Sequence, residues 1–171
     1  WSLAGNREVQ LARFKDPETR ARIKEGIVYN LIHDRGGDDP SRVAIANCDW
    51  DSSLNGKNFA QVLRERGQAV NMDTAADLAL ELQENGGCSG VFHAMSEEDV
   101  ARIMKHPRTM IASDGGIHMP GEGVPHPRNY GTFARILAYY VRDKQLISTG
   151  EAIYKMSKMP AQRIGLAERG P

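Results

Sequence analysis

Residues 114–130 constrain the fold of this chain more than any other stretch. Gly115, Gly116, Gly121 and Gly123 are interleaved there with Pro120, Pro125 and Pro127. Regular structure does not survive that composition, because Gly costs backbone entropy and Pro removes a backbone donor. Connections inside a compact domain mostly run to about 4–6 residues, and much longer ones tend to be functional. The stretch therefore reads as a loop, and as the first place to look for chemistry.

The flanks of the loop set the local architecture. Before it, Met110, Ile111, Ala112 and Ser113 read as a short apolar strand. After it, Phe133, Ile136, Leu137, Tyr140 and Val141 recur at the spacing of a buried helix face. Further back, Ser96-Glu97-Glu98-Asp99 resembles a capping box for a helix carrying Val100, Ile103 and Met104, which His106-Pro107 closes. Residues 88–94 are a strand candidate. Asp73 is read as the cap of an Ala/Leu-rich helix that Gly86-Gly87 stops.

Nearer the start, Asp16-Pro17-Glu18 opens a helix whose stripe includes Ile23, Ile27 and Leu31. Residues 43–48 read as a strand, and residues 57–66 as a helix ended by Gly67. Ser148-Thr149-Gly150-Glu151 is a second capping box, and Met159-Pro160-Ala161 begins a last helical turn. From residue 73 onward, helix, strand, helix, strand, loop and helix alternate in the rhythm of βα units on a parallel sheet. Residues 1–72 then form a small insertion or cap, and residues 73–171 the βα units with the active-site loop 114–130.

Composition excludes some partners. Lys plus Arg equals Asp plus Glu at 22 each, which leaves no excess positive charge for nucleic acid. No apolar run has the length of a membrane span. Cys48 and Cys88 lack metal-site spacing and have no secretory context, so they read as two half-buried thiols of a cytoplasmic protein. The chain opens on Trp1 and stops just after an expected helix, which reads as a piece cut from a longer polypeptide.

Asp114 is the strongest single candidate for chemistry. In a βα barrel the end of the strand that precedes it faces the active site. A carboxylate there can ligate a metal or take a proton from metal-bound water. The competing reading is a turn Asp that caps backbone amides. Asp114, His118, Glu122 and His126 also recur every four residues, but the intervening Gly and Pro forbid the helix that would stack them.

Longer motifs surround this position. Ser113-Asp114-Gly115, Gly121-Glu122-Gly123 and His126-Pro127-Arg128-Asn129-Tyr130-Gly131-Thr132-Phe133 are followed by Ala134-Arg135-Ile136-Leu137 and Tyr140-Val141-Arg142. The pattern continues through Glu151-Ala152-Ile153 and Pro160-Ala161-Gln162-Arg163-Ile164-Gly165-Leu166 to Glu168-Arg169-Gly170. This run resembles the N-acyl-D-amino-acid deacylase (D-aminoacylase) family of the amidohydrolase superfamily, densely from about Gly86 onward.

The resemblance implies a fold class: α/β, a helix-rich fragment with the last two βα units of a (β/α)8 barrel and a small α/β insertion. It implies a zinc-dependent hydrolase that cleaves the amide bond of N-acyl-D-amino acids to a carboxylate and a D-amino acid. Asp114 inherits the role of general acid/base and metal contact. Arg128 inherits contact with the substrate carboxylate, and His126 and Tyr130 line the same loop.

The family's other metal ligands are an early His-x-His pair, a Cys and two later histidines. Here His33, His93, His106, His118 and His126 include no His-x-His. The fragment alone is therefore expected to be inactive and not to retain zinc. The alternative is a non-catalytic truncated module that binds a carboxylate ligand or a partner chain. Barrel strands without neighbours would also favour self-association.

Overall fold

A computed structural model of the chain describes residues 1–119, 121, 123–166 and 168–169. These form two compact units, the first of residues 1–94 with 121 and 123–125, the second of residues 95–119 with those from 126 onward.

In the first unit Asn6 accepts a hydrogen bond from the Val9 N–H at 3.0 Å and opens α1 (Arg7–Lys15), a helix the sequence reading does not contain. Asp16 accepts from the Thr19 N–H at 2.9 Å and opens α2 (Pro17–Asp34). Hydrogen bonding to Thr19 holds the Asp16 carboxyl below its ordinary pKa. β1 (Val43–Asn47) follows, then α3 (Phe59–Glu65), closed at its start by reciprocal bonds between Asn58 and Gln61. Gly67 then turns the chain at φ +68°, a conformation that costs glycine little. α4 (Met72–Glu84) is capped by Asn71, not Asp73, because the Asn71 carboxamide oxygen accepts from the Thr74 N–H at 3.0 Å.

β2 (Ser89–Phe92) pairs antiparallel with β1, with Val43 opposite Phe92 and Asn47 opposite Ser89. This corrects the parallel arrangement expected from the sequence. α3 and α4 return the chain to the Asn47 end of β1, and a strand that begins beside its partner's end runs the other way. The same return brings Cys88 against Cys48. The two are joined in a disulfide with Cα atoms 4.4 Å apart, which corrects the expectation of two thiols. The core between sheet and helices holds Ile45, Phe59, Val62, Leu63, Ala75 and Leu78. Phe14, Ile23 and Leu80 pack as a second cluster between α1, α2 and α4.

In the second unit Ser96 accepts from the Asp99 N–H at 3.1 Å and opens α5 (Glu97–Lys105). Residues 110–113 are not a strand, a third correction. The Ile111 N–H donates to the Lys155 carbonyl at 3.0 Å, and no described strand lies alongside to build a ladder. α6 (Arg128–Arg135) begins inside the expected loop and continues as a π-helical stretch, Ile136–Asp143. Ser148 caps α7 (Thr149–Ile153), a π turn follows, and α8 (Met159–Arg163) is the last helix described.

The core of this unit is Met104, Ile136, Tyr140, Ile147 and Ala152. Lys155 is buried beside it, with Nζ donating to the His106 carbonyl at 2.6 Å and lying 3.7 Å from Glu151. No helix among the described residues is long and apolar enough to cross a membrane. Among the described residues the fold is helix-rich with one two-stranded sheet.

Candidate active site

The site is built where the segment after Ile111 meets the first turns of α6. The Ser113 Oγ accepts from the Gly115 N–H at 3.1 Å and lies 3.1 Å from the Thr132 Oγ1 and 3.3 Å from the Arg128 carbonyl. The Thr132 hydroxyl itself donates to the Arg128 carbonyl at 3.1 Å. One residue on, the Gly116 N–H donates to the Asn129 Oδ1 at 2.9 Å. A side chain at Gly115 has no room. Its Cβ would stand 2.6 Å from the Arg128 carbonyl oxygen and 3.0 Å from the Asn129 Cα, both backbone atoms.

Asp114 thereby comes to Arg128, with Nη1 to Oδ2 at 3.2 Å. The side chains are 78% and 47% exposed, so water screens the pair. Such pairs are worth about 0–1 kcal/mol, too little to be a reason for the fold. His126 braces the helix start: its Nδ1 accepts from the Arg128 N–H at 3.1 Å and its carbonyl from the Asn129 N–H at 3.0 Å. The Tyr130 ring is 61% exposed beside them. Ser113, Gly115, Arg128, Asn129, Tyr130 and Phe133 line a common depression of about 290 Å³.

All four residues singled out from the sequence thus lie on one short stretch of structure. Of the four-residue spacing, Glu122 lies outside the described residues, and His118 is exposed. Among the described residues no group of three or more His, Cys, Asp or Glu side chains could hold a metal ion. Sequence reasoning missed Ser113, Asn129 and Thr132 as partners of the turn. The available signal was the presence of hydroxyl and amide side chains on both sides of the loop.

A larger cleft of about 520 Å³ lies in the first unit, against α2 and the sheet. Phe14, Ile27, Leu31 and Phe92 are among its apolar walls, and none of its lining residues is Asp, Glu or His. It offers the cations Arg22 and Arg35 but no carboxylate or imidazole to act as a base, whereas the Asp114–Arg128 pair combines a carboxylate with an anion anchor.

Comparison with known proteins places the chain. No family model matches the chain. A D-aminoacylase of Alcaligenes xylosoxydans is 39% identical over 129 residues, covering 75% of this chain and 24% of the relative. An N-acyl-D-aspartate deacylase of the same organism is 38% identical over 115 residues, 67% of this chain and 21% of the relative. Among solved structures, a D-aminoacylase described as defining a novel subset of amidohydrolases matches with TM-score 0.61 at 36% identity. That match covers 75% of this chain and 25% of the solved one. The N-acyl-D-glutamate deacylase of Bordetella bronchiseptica, solved with zinc and a phosphonate mimic of the tetrahedral intermediate, matches with TM-score 0.62 at 26% identity. It covers 97% of this chain and 34% of the solved one.

The class is that of the amidohydrolases, and within it the chain belongs to the D-aminoacylase family of N-acyl-D-amino-acid deacylases. It spans about a quarter of the length of the curated relatives it matches.

Proposed function

We propose that this chain supplies the acid/base carboxylate and the substrate anchor of a zinc-dependent hydrolase of N-acyl-D-amino acids. The observation that carries the reading is the approach of Asp114 to Arg128 at 3.2 Å, Arg128 lining the depression, in a chain of this family. Arg128 holds the substrate α-carboxylate. Its guanidinium has five N–H donors, and contact with Asp114 through Nη1 leaves capacity for a second carboxylate. Asp114 accepts a proton from the water that adds to the acyl carbonyl. It returns that proton to the amide nitrogen as the C–N bond breaks, so one carboxylate and one free amine leave. Tyr130 lines the same pocket, and His126 holds the start of α6 through the Arg128 N–H.

The residues described here do not amount to a zinc site. Catalytic zinc takes three protein ligands, and among the described residues no group of three such side chains accompanies the Asp114 carboxylate. No step is derived through the metal. The proposal places the remaining ligands in the portion of the relatives' length that the chain does not span. In the same reading residues 73–171 correspond to the end of the relatives' barrel and residues 1–72 to its small insertion, with β2 paired to β1 in this chain and not to a barrel strand.

Two measurements test the proposal. The isolated 171-residue chain should show no zinc-dependent turnover of N-acetyl-D-methionine or N-acetyl-D-glutamate. The full-length protein that contains it should hydrolyse at least one of them and lose that activity to a chelator. Turnover by the isolated chain would refute the fragment reading, and an inert zinc-loaded full-length protein would refute the deacylase.

A further inference from the structure

We infer that Ser113, Asn129 and Thr132 are positioning residues that fasten the Asp114 turn to α6, so that acid/base and anchor act as one rigid gauge of substrate length. The inference rests on the deacylase reading above, in which Asp114 meets the scissile amide and Arg128 the carboxylate.

Three independent fastenings join the turn to the helix. The Ser113 Oγ sits between the Gly115 N–H, the Thr132 hydroxyl and the Arg128 carbonyl. The Gly116 N–H is taken by the Asn129 side chain. The missing side chain of Gly115 lets its backbone lie directly on the Arg128 and Asn129 backbone. Asp114 therefore has both neighbouring residues tied to α6, and Arg128 is the first residue of that helix. Yet the Asp114–Arg128 pair is mostly in water and cannot hold this geometry by itself. The fixed separation must come from the fastenings.

The chemical consequence is a preference for one substrate geometry. In an N-acyl-α-amino acid one carbon separates the amide nitrogen from the carboxylate, and in an N-acyl-β-amino acid two carbons do. A rigid gauge set for the first misplaces the amide of the second by more than 1 Å, and misplacement on that scale costs on the order of 10²-fold in rate. A loosened gauge reaches neither substrate as well but rejects the longer one less.

The test uses the full-length protein and four variants. Thr132→Val removes the hydroxyl at nearly constant shape, and Thr132→Ser restores it. Asn129→Ala removes the acceptor for Gly116, and Asp114→Asn serves as the control for the underlying reading. Thr132→Val and Asn129→Ala should each lower kcat about tenfold with less change in KM, and Thr132→Ser should recover most of the loss. The ratio of kcat/KM for an N-acyl-D-α-amino acid over the N-acyl-β-amino acid should fall several-fold in both damaged variants. The Gly116 amide should exchange faster with solvent in Asn129→Ala alone.

Parental kcat and parental substrate ratio in both variants would overturn the gauge while the deacylase stands, provided Asp114→Asn is inactive. A loss of kcat that tracks a fall in Tm and that Thr132→Ser does not repair would also overturn it. An active Asp114→Asn would instead remove the reading on which the gauge depends.

Discussion

The two units differ in what their interiors are made of. The first is almost wholly apolar inside: Ala75, Ala76, Leu63 and Leu80 are at most 1% exposed, and its polar contacts, such as Lys24 with Asp73 and Asp77, lie at the surface. The second has a smaller core and admits polar groups into it. Lys155 is 2% exposed, and the Tyr140 hydroxyl donates to Glu97 at 2.8 Å. Burial and the bond to Glu97 push the Tyr140 hydroxyl above its ordinary pKa, so it stays protonated. Asp114, Arg128, His126 and Tyr130 all belong to the second unit. An apolar interior stabilises without placing any chemical group, whereas the polar clamps of the second unit fix particular backbone positions, as Lys155 does with the His106 and Thr109 carbonyls.

The largest effect that would sharpen this contrast is at Asp114. Asp114→Asn in the full-length protein should lower turnover by about 10²- to 10⁴-fold with Tm unchanged, since a general base contributes that much. A variant that kept more than a tenth of the parental rate would deny Asp114 the role. The first unit should respond in the opposite sense. Phe14→Ala should cost about 3–5 kcal/mol in denaturant unfolding, with kcat of the folded protein retained. A cost well under about 1 kcal/mol would show the Phe14 cluster to be loosely packed.

The disulfide belongs to the same contrast. It closes a loop of 40 residues in the first unit, and reducing it should cost about 3–5 kcal/mol by the chain-entropy relation. Thiol titration of the unfolded, unreduced protein should find no free thiol, and two per chain would contradict the bond. Smaller again, Lys155→Met should cost about 1–3 kcal/mol, because the His106 and Thr109 carbonyls lose their buried donor. No measurable loss would mean that the clamp is ornamental to the second unit.

Much of the local structure was legible because caps are local chemistry. Asp16, Ser96 and Ser148 each accept the backbone bond that the sequence assigns to them. α1 escaped notice because it buries little beyond Phe14 and shows no strong stripe. At α4, Asn71 and Thr74 form the reciprocal pair, an alternative two residues from Asp73 that propensity does not rank. The direction of β2 and the meeting of Cys48 with Cys88 depend on where α3 and α4 return the chain, which no short window contains.

At the site, the motif singled out Asp114 and Arg128, but not their approach across 14 positions of sequence or the side chains that impose it. Ser, Asn and Thr in a Gly/Pro-rich loop look like ordinary turn formers until their partners are visible.

The most direct measurement is the kinetics of Arg128→Lys in the full-length protein, on an N-acyl-D-amino acid and on the same molecule with its carboxylate replaced by a carboxamide. Lysine keeps the charge but loses the planar fork. The acid should lose about one to two decades in kcat/KM, equivalent to about 1.5–3 kcal/mol for a charge-assisted hydrogen bond, while the carboxamide is little changed. Equal losses on both substrates, accompanied by a fall in Tm, would contradict the account and leave Arg128 as a support of the loop.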